Sequence, residues 1–217
     1  MKIPFVNFIL DFLFPKEALT KKLESMSPEL FLRKAKKSNR KQSVTPLPLY
    51  EYRDTLVKRA IWEIKYKKNL KIAKLLGQVL AETLIEEFQD RSLFEGMSTL
   101  LLIPIPLSKK RLQERGYNQS ELVCKEIESS AGNTFITYRP DILYKTRETP
   151  SQTTLKHRGE RLKNIAGSFI VKNHELIKNK TIVVFDDVIT TGATMAEAIR
   201  VLKAAGARKI IPFAIAH

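Results

Sequence analysis

Residues 181–195, TIVVFDDVITTGATM, decide how the rest of the chain is read. The run 181–185 is β-branched and apolar without alternation, the pattern of a parallel strand covered on both faces. Asp186 and Asp187 follow at its carboxyl end, where open α/β sheets place their ligands. Thr190, Thr191, Gly192, Ala193 and Thr194 then turn into a helix expected over residues 195–205. Backbone N–H groups at a helix N-terminus, beside small residues, form a seat for a phosphate, and the three threonine hydroxyls add hydrogen bonds. Two carboxylates next to such a seat suit sugar hydroxyls, which donate to them, with a divalent cation nearby to offset charge. The plain alternative is a helix cap, since Asp-Asp before a Thr/Gly turn is a short motif.

Working back from this stretch, residues 99–103 read as a second buried strand, with the core beginning near Ser98. A rigid loop follows, Pro104 to Ser108, and then Lys109, Lys110, Arg111, Arg115 and Gly116. A strand leading into such a loop suits a second anion, a diphosphate, with Pro106, Ser108, Lys109, Arg111 and Arg115 as its candidate residues. Helix is expected over 118–129, a weak strand over 134–137, and another strand within 166–171. Between these strands, residues 141–164 are long, polar and basic, which favours a lid over an inert insertion. Its candidates are Arg147, Gln152, Arg158 and Arg161. After the central helix, Gly206 ends it and residues 208–215 form a last strand. The β-α-β order implies a parallel sheet with helices on both faces.

The first hundred residues differ. Residues 3–14 are apolar, with Phe5, Phe8 and Phe12 at helical spacing before Pro15. They read as a docked helix, with an interfacial membrane anchor as the alternative. Residues 16–45 are polar and basic, with a short helix expected near 28–37 followed by a linker. Residues 46–50 are extended. Two amphipathic helices follow, one on the stripe Tyr52, Leu56, Ala60 and Ile64, the other over 70–89. They are expected to cap the core, with their basic residues, Lys65 included, facing either a ligand cleft or solvent. The division is thus 1–45 N-terminal helix and basic linker, 46–97 helical cap, 98–217 core.

The net charge is +15, and it divides as +7 over residues 1–98 and +8 over 99–217, so it is no detachable tail. A polyanionic ligand explains part of it; nucleic acid or plain solubility explains the rest. Cys124 is the single cysteine, so no disulfide closes within the chain and no cysteine-based zinc site forms. His157, His174 and His217 are scattered. No apolar run reaches the ~20 residues of a membrane span, and a cytoplasmic location is expected. Tyr117, Phe135, Tyr138, Tyr144 and Phe213 read as core rather than as a platform for a base.

Three blocks carry a family resemblance. VVFDDVITTGAT at 183–194 resembles the 5-phosphoribosyl-1-pyrophosphate (PRPP) motif of type I phosphoribosyltransferases. IPIPLSKKRLQERGYNQS at 103–120 and RETPSQTTLKHRGERLKNIAGSF at 147–169 resemble two blocks of the ComF-type members of that family, and DFLFP at 11–15 resembles their opening. The resemblance implies a type I phosphoribosyltransferase fold. It implies that Asp186 and Asp187 meet the ribose 2′ and 3′ hydroxyls and act in catalysis, and that Thr190, Thr191, Gly192, Ala193 and Thr194 surround the 5′-phosphate. It further implies PRPP as ligand, Mg²⁺ arriving with PRPP rather than on protein ligands, and a role in natural transformation. Single-stranded DNA and the DNA-uptake machinery are the implied partners. A nucleobase-salvage transferase is the alternative. One departure stands out: the four-cysteine zinc module usual in this family has no counterpart, because residues 16–45 hold no Cys or His. Zinc is therefore not expected.

Overall fold

The computed structural model describes residues 16–38, 47–95, 99–132, 135–147 and 165–217. Its elements are α1 (Lys16–Glu24), α2 (Pro28–Lys34), β1 (Leu47–Tyr50), α3 (Thr55–Tyr66), α4 (Leu70–Glu95), β2 (Leu100–Pro104), α5 (Lys109–Arg115), α6 (Gln119–Ala131), β3 (Ile136–Tyr138), β4 (Leu143–Lys145), β5 (Phe169–Val171), a 3₁₀ turn at His174–Leu176, β6 (Thr181–Val188), α7 (Ala193–Ala204) and β7 (Lys209–Ala216).

Five strands form one parallel sheet in the order β1-β7-β6-β2-β3. The side chains of β6 explain its central place. Val183 and Phe185 point to one face and Ile182 and Val184 to the other, and all four are fully buried. On the first face Leu100, Leu102, Phe185 and Phe213 pack with α6, α4 and α3. On the second face Leu101, Ile103 and Ala214 pack with Ala198 and Leu202 of α7 and with Phe169 of the antiparallel β4–β5 pair. Parallel strands buried on both faces need such continuous apolar runs.

The crossover from β2 to β3 carries α6 on one face. The crossover from β6 to β7 carries α7 on the other, in the opposite direction along the sheet. Strand order therefore reverses between β2 and β6, and the crevice beyond their carboxyl ends is the switch point at which such sheets bind ligands. Pro104 of β2 and Phe185 of β6 are register partners there, and the Ile105 N–H donates to the Phe185 carbonyl at 2.8 Å.

The first half of the chain is more integrated than a cap. Leu47–Tyr50, grouped by sequence with the helical segment, is an edge strand on β7. Pro48 concealed it, because proline lacks an N–H, yet an edge strand tolerates that. The helix expected to include Tyr52 begins at Thr55, because the Asp54 carboxylate caps it by accepting from the Val57 N–H at 3.0 Å. The basic segment contains two helices, α1 and α2, with Leu23 and Phe31 in the core. Finally, α4 crosses α6 at Gly77, where an added Cβ would lie 2.2 Å from the Glu126 Cβ. Only glycine permits that approach, so α4 is locked to the helix that precedes β3. The polar segment 141–164 begins with β4, hydrogen-bonded to β5 as an antiparallel pair.

Candidate functional site

The site forms where β6 ends. Ile189 is held by its N–H donating to the Ala216 carbonyl at 3.0 Å, and the chain then turns through Gly192 at φ 77° into α7. A positive φ of this size suits glycine, and it aims the first N–H groups of a twelve-residue helix at one spot. A shallow, partly open concavity lies over that spot, lined by Asp186, Val188, Ile189, Thr190, Gly192, Thr194 and Met195. One carboxylate and the helix N-terminus thus share a single pocket. Thr191 is half-buried beside it, and Ala193 is buried as the first residue of α7.

The two aspartates are not equivalent. Asp186 lines the pocket; its Oδ1 accepts from the Asp187 N–H at 2.9 Å and from the Ser120 hydroxyl at 3.4 Å. Asp187 does not line it, and only 4% of the residue is exposed. Its Oδ1 accepts from Gln119 Nε2 at 3.4 Å, and its Oδ2 forms an ion pair with Lys65 Nζ at 2.6 Å. Oδ2 receives no aligned hydrogen bond, so the lysine contact satisfies it as charge against charge. Burial pushes the Asp186 carboxyl well above the usual carboxylate range, and the neighbouring Asp187 adds to the rise. Burial works against the Lys65 charge, but Asp187 and then Asp186 outweigh it, and the ammonium pKa lies above normal.

Lys65 was legible in the sequence only as a cation of unknown facing. It comes from α3, more than a hundred residues before the carboxylates. Tyr117 sets its position: the phenol donates to the Ile64 carbonyl at 2.8 Å and accepts from the Lys68 N–H at 3.0 Å, closing the end of α3. The block RGYNQS therefore does several jobs. Gly116 ends α5 at φ 78°, and Tyr117 anchors α3. Asn118 caps α6, with its side chain accepting from the Ser120 N–H at 3.0 Å and donating to the Ile105 carbonyl at 3.0 Å. Gln119 and Ser120 then reach the two aspartates. A polar residue pair opening a helix, directly after a capping Asn, was the available signal for these last two.

The diphosphate candidates are dispersed. Ser108 is buried as the N-cap of α5, its hydroxyl accepting from the Arg111 N–H at 3.4 Å. Pro106 is half-buried, while Lys109 and Arg111 are exposed. Arg115 donates to Gln119 Oε1, and its guanidinium lies 5.5 Å from the Tyr66 ring centre. Of the five, Arg115 alone connects with the carboxylates among the described residues, through Gln119. Arg147 donates to the Ala166 carbonyl, tying the stretch after β4 to the one before β5. Glu197 of α7 holds the same junction by accepting from the Gly167 N–H at 2.6 Å while Arg200 binds the carboxylate. Gln152, Arg158 and Arg161 lie outside the described residues.

Next to Arg115 is a surface that sequence reading overlooked. The Trp62 and Tyr66 rings lie 5.6 Å apart on α3. Arg59 lies 4.6 Å and Lys67 5.8 Å from the Trp62 ring, and Lys68 lies 5.6 Å from Tyr117. Tyr66 is 61% exposed. Trp62 and Tyr66 sit one helical turn apart between lysines and arginines, which is a readable signal. Of the aromatic residues first weighed, Phe213 is core.

The sequence is similar to that of several known proteins. Residues 135–216 match the family described as the phosphoribosyl transferase domain. The chain is 28% identical over 150 residues to the DNA utilization protein YhgH of Escherichia coli O157:H7, covering 69% of this chain and 62% of that protein. It is 27% identical to the competence protein ComFC of Bacillus subtilis, covering 71% of this chain and 56% of the relative. To ComFC of Streptococcus pneumoniae it is 33% identical, covering 65% and 56%. The chain spans less than two thirds of the length of these relatives. The domain match over residues 135–216 and the likeness to YhgH and ComFC support a ComF-type member of the phosphoribosyltransferase family. Among the described residues, no helix is long and apolar enough to cross a membrane.

Proposed function

We propose that the chain binds PRPP at the β6–α7 turn and acts in the handling of imported DNA. The observation that carries this reading is the shared pocket: Asp186 and the N-terminus of α7 line one concavity at the switch point. In it the 5′-phosphate takes the N–H groups and hydroxyls of Thr190, Thr191, Gly192, Ala193 and Thr194. The ribose hydroxyls donate to the Asp186 carboxylate. The diphosphate extends toward the loop of Pro106, Ser108, Lys109, Arg111 and Arg115. Mg²⁺ comes with the ligand in this reading, which accords with one of the two carboxylates being committed to Lys65. When bound with PRPP the ion neutralises diphosphate charge. The chain's own groups orient the sugar and, if transfer to a nitrogen nucleophile takes place, stabilise the positive charge that develops on the ring.

Titration calorimetry with PRPP and Mg²⁺, followed by a pyrophosphate-release assay across nucleobases, tests this reading. PRPP binding is expected. Release with one free base assigns the salvage reaction instead, and absence of binding removes the proposal.

For a role with single-stranded DNA, the supporting observation is the aromatic and basic surface of Trp62, Tyr66, Arg59, Lys67, Lys68 and Arg115. Bases stack on aromatic rings without regard to sequence, and cations track the backbone. Affinity for an oligonucleotide is expected to fall steeply with salt and to fall in Trp62→Ala. A salt-independent affinity counts against it. The matched relatives carry names that refer to competence and DNA utilization, and a cytoplasmic site of action accords with the buried, unpaired Cys124.

A further inference from the structure

We infer that Lys65 is a positioning residue for the carboxylate pair: from α3, outside the sheet, it holds Asp187 as a paired anion away from the pocket and so leaves Asp186 as the carboxylate that faces the ligand. The inference rests on the PRPP reading for its ligand, but its geometry is independent of it.

Two adjacent aspartates at a strand end repel each other, and burial raises the cost. A strand alternates its side chains, so Asp186 and Asp187 start toward different faces of the sheet. Something must fix the second one. Lys65 Nζ is 2.6 Å from Asp187 Oδ2, with 22% of the lysine side chain and 5% of the aspartate side chain exposed. At such burial an ion pair is screened far less than on the surface. Gln119 takes the other oxygen. Asp187 is thus held from both sides, by α3 and by α6.

Lys65 is itself held. The Tyr117 phenol ties Ile64 and Lys68, the residues around it, to the start of α6. Two residues before it, the buried Glu63 pairs with Arg59 at 2.5 Å and accepts from the Thr20 hydroxyl at 2.8 Å and from Asn69 Nδ2 at 3.3 Å. The end of α3 is therefore pinned to both α1 and α6, and the lysine tip has a fixed place. Among the described residues, the other charged and titratable groups near the pair are Tyr52 ahead of α3, Cys124 on α6 with Glu121 beside it, and Arg115 through Gln119. Lys65 is the cation in direct contact with Asp187.

The test uses the full chain. PRPP with Mg²⁺ is titrated calorimetrically from pH 5 to 8 against wild type, Lys65→Met and Lys65→Arg, with thermal unfolding as the control for folding. Removing the cation raises the carboxylates' proton affinity, so the acid limb of binding is expected to move up by about one pH unit, with about tenfold weaker binding at pH values on that limb. Lys65→Arg keeps the charge and is expected to retain the wild-type limb. A merely structural lysine would lower the melting temperature and leave the limb in place, and that result overturns the inference. If Lys65→Met does not fold, Lys65→Gln, which keeps a polar contact, carries the same comparison. Carbon-13 titration of the aspartate carboxyls in the ligand-free protein separates this inference from the PRPP reading. If wild type binds no PRPP, an upward move of the pair's titration in Lys65→Met sustains the role of Lys65, and an unmoved titration overturns it.

Discussion

The two strand ends that flank the crevice look alike in sequence and differ in structure. After β6 the chain runs through two acids into a hydroxyl-rich turn, and every feature converges: Asp186, Gly192 and the start of α7 line one pocket. After β2 the chain runs through prolines into a run of cations, and those features diverge. Ser108 is spent on capping α5, and Lys109 and Arg111 are exposed. Arg115 turns toward Gln119 and Tyr66. A backbone seat is rigid because hydrogen bonds of the strand and helix define it. A seat made of long cationic side chains has no fixed geometry until an anion draws the chains together, since each carries about 2 kcal/mol of rotamer entropy.

The sharpest way to break the comparison is at β6. Replacing both carboxylates, Asp186→Asn with Asp187→Asn, is expected to weaken PRPP binding about a hundredfold or more in calorimetry. Charge-assisted hydrogen bonds contribute about 1.5–3 kcal/mol each. Wild-type affinity in this variant would remove the basis of the site. Next in size is Gly192→Ala. Space is available, with the nearest side-chain atom, Ile189 Cγ2, at 4.0 Å, but the left-handed backbone costs about 1–2 kcal/mol for an L-residue. A loss of about tenfold in phosphate affinity is expected, together with a lower melting temperature.

At β2 the effects should be smaller and unequal. Arg115→Ala is expected to weaken PRPP binding by several-fold, more than Lys109→Ala, because Arg115 supports Gln119 and through it Asp187. The reverse order, read in the same titration, would show that the exposed cations close on the diphosphate. The smallest effect concerns stability. The folded-state pKa of Asp186 is raised, so its contribution to stability is fully present below the unfolded value and is lost as pH rises through the folded one. Asp186→Asn mimics the protonated form. It is expected to melt higher than wild type at pH 7, and the gain should shrink below about pH 4, where both states of the wild-type residue are protonated. A variant that melts lower at pH 7 contradicts the assigned direction.

Much of the fold was legible because its cause is local. Short β-branched apolar runs without alternation read as strands covered on both sides, and they located β2 and β6. Periodicity located α3, α4 and α6, and the Thr/Gly turn located the start of α7. The misreadings came from features whose meaning depends on neighbours distant in sequence. Leu47–Tyr50 carries Pro48 and seemed a mere extended link until β7 supplied its partner. The start of α3 moved to Thr55 because the Asp54 side chain, rather than the apolar stripe, ends the coil. Residues 16–45 read as a polar, basic stretch with one short helix near 28–37, yet Leu23 and Phe31 among those charges bury completely.

For the site, the sequence by itself determined the seat: the strand, the two aspartates, the glycine turn and the helix that follows are contiguous, and backbone geometry places them together. What the tertiary structure alone decided is how the two aspartates part company. Asp187 is buried against Gln119 and Lys65, residues 68 and 122 positions away, and Asp186 is left facing the pocket. Helical periodicity tells which residues share a face with Lys65 but not what lies opposite that face. Only the placement of the end of α3 beside the start of α6, held by the Tyr117 phenol, turns a surface-type cation into the partner of a buried carboxylate.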